Sequence, residues 1–330
     1  MARGLYLGGS EFLQLAFPPA LRKEIGAQAD MFAVDIDGQK WRENREALAE
    51  AEWIFSTWGM PNLDGEFLEA VPRLKAIFYA AGSVKCFATA LAYDRGIQVC
   101  SAWRANAVPV AEYTLATILL SLRQFWACAA STRAAKTFRR VPGIPGAYRS
   151  RVGLVSLGAI GRLVARRLQD FDVEVLASDP LVDEETAHAL GTRLLSLEEL
   201  FSEADVISLH TPWLPETVGL VGAAQLSRMK EGATLINTSR GAIINEPDLI
   251  AALTARPDLT AILDVTHPEP PPPDSPLYTL PNAILTPHIA GSLGGEIGRM
   301  GQWMADEFFR YLGGSPLHHA VTRDMLAQMA

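Results

Sequence analysis

Short apolar runs alternate with amphipathic stretches along most of the chain. In the first third, the runs Gly4–Leu7, Met31–Val34, Trp53–Ser56, Leu74–Tyr79 and Ile97–Ser101 predict strands. Helical spacing separates most of them, as in Pro19–Ile25 and Asn44–Ala49. Such alternation predicts a parallel sheet covered on both faces. One long helix is expected from Ala107 to Arg123, apolar nearly all round, with Pro109 in its first turn. A helix of that kind is buried on several sides, between domains or against another subunit. After a loop holding Pro142, Gly143, Pro145 and Gly146, a second series begins. Its strands are expected at Val152–Ser156, Glu174–Ala177, Val206–Leu209, Thr234–Asn237, Ala261–Val265 and Ala283–Leu285. Pro268–Pro276 reads as a proline-rich turn, and Gly295–Tyr311 as one closing helix.

The pattern is that of an α/β protein, and 330 residues leave room for two domains. Hydrophobic residues at 49% and charged residues at 20% exclude wholesale disorder. With 29 basic against 37 acidic side chains, the formal net charge of −8 lacks the electrostatic footprint of a nucleic-acid binder. The basic cluster Arg133, Lys136, Arg139 and Arg140 reads as a solvated loop. Cys86, Cys100 and Cys128 are scattered, so neither a disulfide framework nor a cysteine metal site is expected, and a reducing compartment is. No basic-then-apolar leader precedes the first strand, so no signal peptide is expected. The longest apolar stretch, around Leu115–Leu122, falls short of a membrane span. A cytoplasmic protein without a membrane or nucleic-acid partner is the expectation.

Directly after the strand at Val152 comes Ser156-Leu157-Gly158-Ala159-Ile160-Gly161, opening the helix Arg162–Leu168. This is the dinucleotide fingerprint with serine in place of its first glycine. Gly158 permits close backbone approach to a pyrophosphate at a helix N-terminus, and Gly161 permits close helix–strand packing. The motif alone also describes a tight strand-to-helix turn. Its context shifts the balance, because the next strand ends in Asp179, 18 residues beyond Gly161. A carboxylate there accepts hydrogen bonds from the ribose hydroxyls of NAD and repels the extra phosphate of NADP.

Parallel sheets place ligands beyond the carboxyl ends of their strands. The second series carries there His210-Thr211-Pro212, Thr238-Ser239-Arg240-Gly241, Asp264 and Pro287-His288-Ile289-Ala290-Gly291, with Glu269 five residues past Asp264. Singly, each has a bland reading as a capping cation, a structural imidazole or a solvated loop carboxylate. Jointly they suit reduction of a 2-keto acid by a nicotinamide. Arg240 would hold and polarise the substrate, His288 would be the general acid, and Glu269 would orient the imidazole. Asp264 would accept from the nicotinamide carboxamide.

The stretches VGLVSLGAIGR, ASDP, SLHTPWLPET, LINTSRGAIINEPDLIAAL, DVTHPEP and LTPHIAG occur in that order. In them the chain, from about Leu74 to Gly294, resembles the D-isomer-specific 2-hydroxyacid dehydrogenase family. Members of that family include phosphoglycerate, glyoxylate/hydroxypyruvate and D-lactate dehydrogenases. The resemblance implies Arg240, Glu269 and His288 as catalytic residues. It implies cofactor positions at Ala159-Ile160, Asp179, Thr211, Thr238-Ser239, Asp264 and Ala290-Gly291, beside Gly158, Gly161, His210 and Pro212 from the motifs themselves. It places a substrate-carboxylate loop on Gly82-Ser83-Val84, an adjoining segment on Asn106 and Val110-Ala111-Glu112, and further substrate contacts on Arg240 and His288.

It further implies two Rossmann-like or flavodoxin-like domains with parallel sheets and the active site in the cleft between them. Residues 1–103 with 293–330 would form a discontinuous substrate-binding domain, and 104–292 the NAD-binding Rossmann domain. A homodimer through the buried helix is implied too. The chain differs from the family pattern at Ser156, at Lys85 and Cys86, where Asp and Asn are usual, and at the bulky hinge Trp103-Arg104. Lys85, Trp103 and Arg104 would suit a larger or more acidic substrate, or serve only as surface and packing residues. The chain ends soon after its closing helix, so the regulatory domain of some members is not expected. An NAD(H)-sensing corepressor of the same superfamily is the competing reading. Formate dehydrogenase is a weaker one, because that branch pairs its histidine with glutamine and not with a residue like Glu269.

Overall fold

The computed structural model describes residues 3–326 and residue 329. The chain forms two compact units, changing over between Ala107 and Val108 and again between Gly291 and Ser292. In the first unit β1 (Arg3–Gly8), β2 (Asp30–Asp37), β3 (Ala51–Ser56), β4 (Ala76–Tyr79) and β5 (Gln98–Ser101) form a parallel sheet in the order β2-β1-β3-β4-β5. Successive side chains on a strand point to opposite faces. Leu5, Leu7, Ile54 and Ile77 accordingly join one core with Phe67 and Leu68. Tyr6, Phe55 and Phe78 join another with Met300, Met304 and Phe308 of the helix Gly295–Leu312. The ring of Phe308 stands edge-on to Phe55 at 5.0 Å and to Phe78 at 5.3 Å. Both faces are therefore covered, as a parallel sheet requires.

The second unit holds β6 (Ser150–Val155), β7 (Val173–Ser178), β8 (Thr192–Leu194), β9 (Val206–Leu209), β10 (Thr234–Asn237), β11 (Thr260–Leu263) and β12 (Ala283–Leu285). All pair in parallel, in the order β12-β11-β10-β9-β6-β7-β8. The same alternation divides Leu154, Ile236 and Ile262 from Val155, Leu235 and Leu263. The edge strand β8 was not expected: its three residues are too few to show a period-two pattern.

Two expectations need correction. The long helix runs Trp103–Ser121, starting a turn earlier, so Pro109 lies in its interior rather than its first turn. Its start is set by Ser101, whose Oγ accepts from the Trp103 N–H at 3.3 Å, a signal that apolar periodicity does not carry. The helix is buried on several sides and exposed along one stripe. Ala111, Ile118 and Leu122 pack with Leu154, Val164 and Leu168, whereas Leu120 is exposed. Finally, Arg133 belongs to a second helix, Phe125–Ala135, so the basic cluster is only partly a loop. Among the described residues, no single helix is long and apolar enough to cross a membrane, and no group of three or more His, Cys, Asp or Glu side chains is placed to hold a metal.

The helix Gly295–Leu312 approaches the helix Ser10–Ala16 so closely that a Cβ on Gly301 would lie 1.7 Å from the Ala16 carbonyl oxygen. Gly301→Ala must push the two helices apart. Thermal or urea denaturation of this variant should show a loss of about 1–3 kcal/mol, against little change for Gly26→Ala, whose Cβ would meet nothing within 4 Å.

Candidate active site

In the second unit the chain leaves β6 toward β7 and later returns to β6 on its other side through β9. The crossovers diverge there, which opens a crevice at the carboxyl ends of β6 and β9. The fingerprint turn and His210-Thr211-Pro212 lie at this point. Ser156 takes a left-handed φ of 78°, which is why a glycine suits the position and why serine there carries some strain. Gly158 caps the helix Ala159–Leu168 without a side-chain hydrogen bond, and a Cβ on it would meet nothing within 4 Å. A Cβ on Gly161 would lie 2.2 Å from the Ser156 carbonyl oxygen, so the turn closes only on glycine. Asp179 accepts from the Leu157 N–H at 2.7 Å and from the Leu181 N–H at 2.8 Å, which holds its carboxylate beside the turn. The His210 N–H donates to the Val155 carbonyl at 2.9 Å, and its ring is buried with neither nitrogen hydrogen-bonded. Burial pushes this imidazole down to about 4. An open glycine at a helix N-terminus, with a carboxylate one strand away, is an arrangement that suits an anionic group in this crevice. Ala159 and Ile160 are half-buried in the first turn.

Beyond β10 to β12 the remaining residues are tied by a buried carboxylate. Asp264, 2% exposed, accepts from the Thr286 hydroxyl at 2.6 Å and from the backbone N–H groups of Ile289 and Ala290, each at 2.8 Å. Its own carbonyl accepts from the His288 N–H at 3.0 Å. These bonds grip His288 on both sides in a left-handed conformation, φ 53°, that an unsupported histidine would avoid. The donors reaching the Asp264 carboxylate thus come from the His288 loop, where the sequence suggested a nicotinamide amide. His288 Nδ1 lies 2.6 Å from Glu269 Oε1, with both side chains about half exposed.

Arg240 follows β10 in a turn built on Asn237, whose amide oxygen accepts from the N–H and hydroxyl of Ser239 and whose amide nitrogen donates to the Arg240 carbonyl at 2.9 Å. Arg240 Nη1 donates to the Ser239 carbonyl at 2.7 Å. At Gly241 a Cβ would lie 1.9 Å from the Thr266 carbonyl carbon, so the Arg240 and Glu269 loops meet backbone to backbone. Glu246 reinforces this junction. Burial raises its pKa, offset in part by a hydrogen bond from the His267 backbone. Thr238 shares a hydrogen bond of 3.2 Å with Thr114, and Thr211 donates to the Val155 carbonyl at 3.4 Å.

Sequence reasoning missed Asn237, Tyr113 and Thr286. The Tyr113 hydroxyl lies 3.0 Å from that of Thr286, extending the Asp264 network to the long helix. Burial raises the Tyr113 phenol above its ordinary value. A polar residue ending a buried strand was the available signal for Asn237. No pattern in the sequence pairs Tyr113 with Thr286, 173 residues away.

In the first unit, Gly82-Ser83-Val84 follows β4. Ser101, also missed, donates to the carbonyls of Gly82 at 2.5 Å and Ala81 at 3.0 Å, and so fixes the loop's first peptide. Val84 is wholly buried. A Cβ on Gly82 would come 3.3 Å from the Asn106 amide nitrogen, and the Asn106 amide oxygen accepts from the Ser292 N–H at 2.9 Å. Lys85 and Cys86 are exposed beside the loop. The Arg104 guanidinium stacks over Trp103 at 4.8 Å and its Nη1 lies 3.5 Å from the His318 carbonyl. In the second unit, Val110 and Ala111 are buried, and Glu112 pairs with Arg167 at 3.2 Å.

The sequence model of the D-isomer specific 2-hydroxyacid dehydrogenase NAD-binding domain matches residues 115–290. The chain is 35% identical over 260 residues to a D-3-phosphoglycerate dehydrogenase of Archaeoglobus fulgidus, covering 78% of this chain and 49% of that protein. It is 31% identical over 270 residues to a glyoxylate reductase of Korarchaeum cryptofilum, covering 80% of this chain and 81% of that one. The crystal structure of a protein from Thermus thermophilus superposes with a TM-score of 0.77 at 30% identity, over 97% of this chain and all of the other, 100%. The chain belongs to the D-isomer-specific 2-hydroxyacid dehydrogenase family, and its second unit contains the family's NAD-binding domain. It spans about half the length of the phosphoglycerate dehydrogenases it matches.

His210 makes stability depend on pH. Unfolded, it titrates near 6.5, whereas folded it titrates at about 4. Above pH ~6.5 both states are neutral and nothing is lost; as pH falls toward ~4 only the unfolded state takes up the proton, so stability falls. Denaturation at pH 7 and pH 4.5 should show His210→Phe losing roughly 2–3 kcal/mol less than the wild type over that interval.

Proposed function

We propose that the protein interconverts a D-2-hydroxy acid and its 2-keto acid with NAD, and that Arg240, Glu269 and His288 carry the chemistry. The observation that carries this reading is the 2.6 Å contact between His288 Nδ1 and Glu269 Oε1, on a loop held by Asp264. With Nδ1–H engaged by the carboxylate, Nε2 is the nitrogen that faces the reaction. Arg240 binds the keto acid's carboxylate and draws electron density from its carbonyl. NADH, held by the turn Gly158–Gly161, would supply a hydride to C2 and would leave as NAD⁺. The proton on His288 Nε2 passes to the carbonyl oxygen, which completes the hydroxyl group. In the other direction neutral Nε2 takes that proton back.

The nucleotide is held by the turn Gly158-Ala159-Ile160-Gly161, by Asp179 at the adenosine ribose, and by His210-Thr211-Pro212. Thr238-Ser239 and Ala290-Gly291 flank its nicotinamide end. Backbone N–H groups of Gly82-Ser83-Val84 bind the substrate carboxylate, which makes residues 1–103 with 293–330 a substrate-binding domain and 104–292 the cofactor domain. The exposed apolar side chains Leu120, Phe125, Phe138 and Tyr148 on and beyond the two helices support pairing with a second copy of the chain.

Arg240→Ala should lower kcat/KM for keto acids by roughly three orders of magnitude, with NADH binding, followed by fluorescence, retained. His288→Asn should lose about 10²–10⁴ in kcat, and a wild-type rate in that variant would remove the proposed acid. Light scattering of the wild type should give twice the chain mass, and Phe138→Asp should shift the population to monomer.

A further inference from the structure

The first unit has a switch point of its own. From β1 the chain moves to β2 on one side and later returns through β3 on the other, so a crevice opens at the carboxyl ends of β1 and β3. The register places Leu7 beside Ser56, and Ser56 beside Tyr79, so Gly9, Trp58 and Ala81 form the second row beyond the strands. The Gly9 N–H donates to the Trp58 carbonyl at 2.7 Å, which confirms the alignment past the strand ends. Trp58 is flanked by Gly8 and Gly9 on one side and by Ala80, Ala81 and Gly82 on the other. Small neighbours leave its indole as the bulk of that edge. The ring of Phe12, from the helix after β1, meets it edge-on at 5.0 Å and is 39% exposed.

Charge at this edge runs against a second anionic group. The segments Gly8–Phe12 and Thr57–Met60 hold one ionisable side chain, Glu11, and no cation. Asp37, ending β2, adds a second carboxylate, which accepts from the Gln39 N–H at 2.9 Å. Arg104 is drawn to the Trp103 ring and the His318 carbonyl. Lys85 follows the Gly82-Ser83-Val84 loop and is exposed.

We infer that the substrate is a 2-keto acid with a bulky uncharged side chain, aromatic in the best case, and that Trp58 and Phe12 form the wall that receives it. The inference rests on the dehydrogenase reading above and deepens it. A phosphorylated or dicarboxylic side chain would lose its hydration against two rings that offer it no charge or hydrogen bond in return, with Glu11 and Asp37 on the flanking segments. A hydrogen, as in glyoxylate, would leave both rings without contact. A phenyl group would bury its faces against them, with the offset or edge-on contacts that aromatic rings favour.

The test is NADH oxidation by the full chain with phenylpyruvate, glyoxylate and 3-phosphohydroxypyruvate. Phenylpyruvate should have a kcat/KM at least about ten-fold above the other two. Trp58→Ala and the more exposed Phe12→Ala should each lower kcat/KM for phenylpyruvate about ten-fold more than for glyoxylate, and Trp58→Phe should recover most of it. Phe12→Ala, at the surface, keeps the test open should Trp58→Ala not fold. A preference for glyoxylate or for the phosphorylated acid would overturn the inference alone, as would variants that slow all three substrates equally. Turnover of none of the three, with NADH still bound, would overturn the dehydrogenase reading and this inference with it.

Discussion

A buried carboxylate has to be answered by donors, and in this protein the donors that answer Asp264 are the loop that carries His288. Removing a charge from water costs several kcal/mol unless hydrogen bonds replace the lost hydration. Asp264 recovers it from one hydroxyl and two backbone N–H groups. The loop between β12 and Gly291 therefore has one arrangement that satisfies the carboxylate, and that arrangement forces His288 into the left-handed region. Strain at one residue is offset by hydrogen bonds at its neighbours. Glu269 then needs only to meet a ring already aimed. Thr286 and Tyr113 extend the same network to the long helix, so the orientation of one imidazole draws on three separate stretches of chain.

The other parts of the site follow the same economy of backbone. Gly241 lets the Arg240 turn touch the Thr266–Glu269 segment, and Gly161 lets the nucleotide helix close on Ser156. In each case a methyl group would occupy space that the neighbouring main chain already fills. Close backbone contact transmits position more stiffly than long side chains do, which suits groups that must be held to a fraction of an ångström. Ser101 does the equivalent for the first unit, with one hydroxyl bridging the Ala81 and Gly82 carbonyls and the start of the long helix.

The parallel sheets determine where the chemistry can be. Each has a point where successive crossovers diverge, and each such point is lined by glycine-rich or small-residue turns. At β6 and β9 the turn is shaped for an anion at a helix N-terminus. At β1 and β3 it is shaped around two aromatic rings. One architecture thus presents two crevices of opposite character, one with a helix N-terminus and a carboxylate, the other lined by aromatic rings.

Most strands, the turn Gly158–Gly161 between strand and helix with Asp179 beyond the next strand, and the positions of Arg240 and His288 just past strand ends were legible from sequence. Alternation and strand-to-helix spacing are local, and local patterns survive in a linear reading. Where a cue was tertiary, the reading failed. The start of the long helix depended on the Ser101 hydroxyl, β8 was too short to show a period, and Arg133, the first of the basic cluster, lies in the helix Phe125–Ala135 rather than a loop. The task of Asp264 was equally hidden, because its donors lie 22 to 26 residues further on and become neighbours only when β11 and β12 pair. The sequence alone determined which residue types are present and on which strand ends they fall. The tertiary structure decided which of them touch, because satisfying buried polar groups is a property of the packed chain and not of any segment within it.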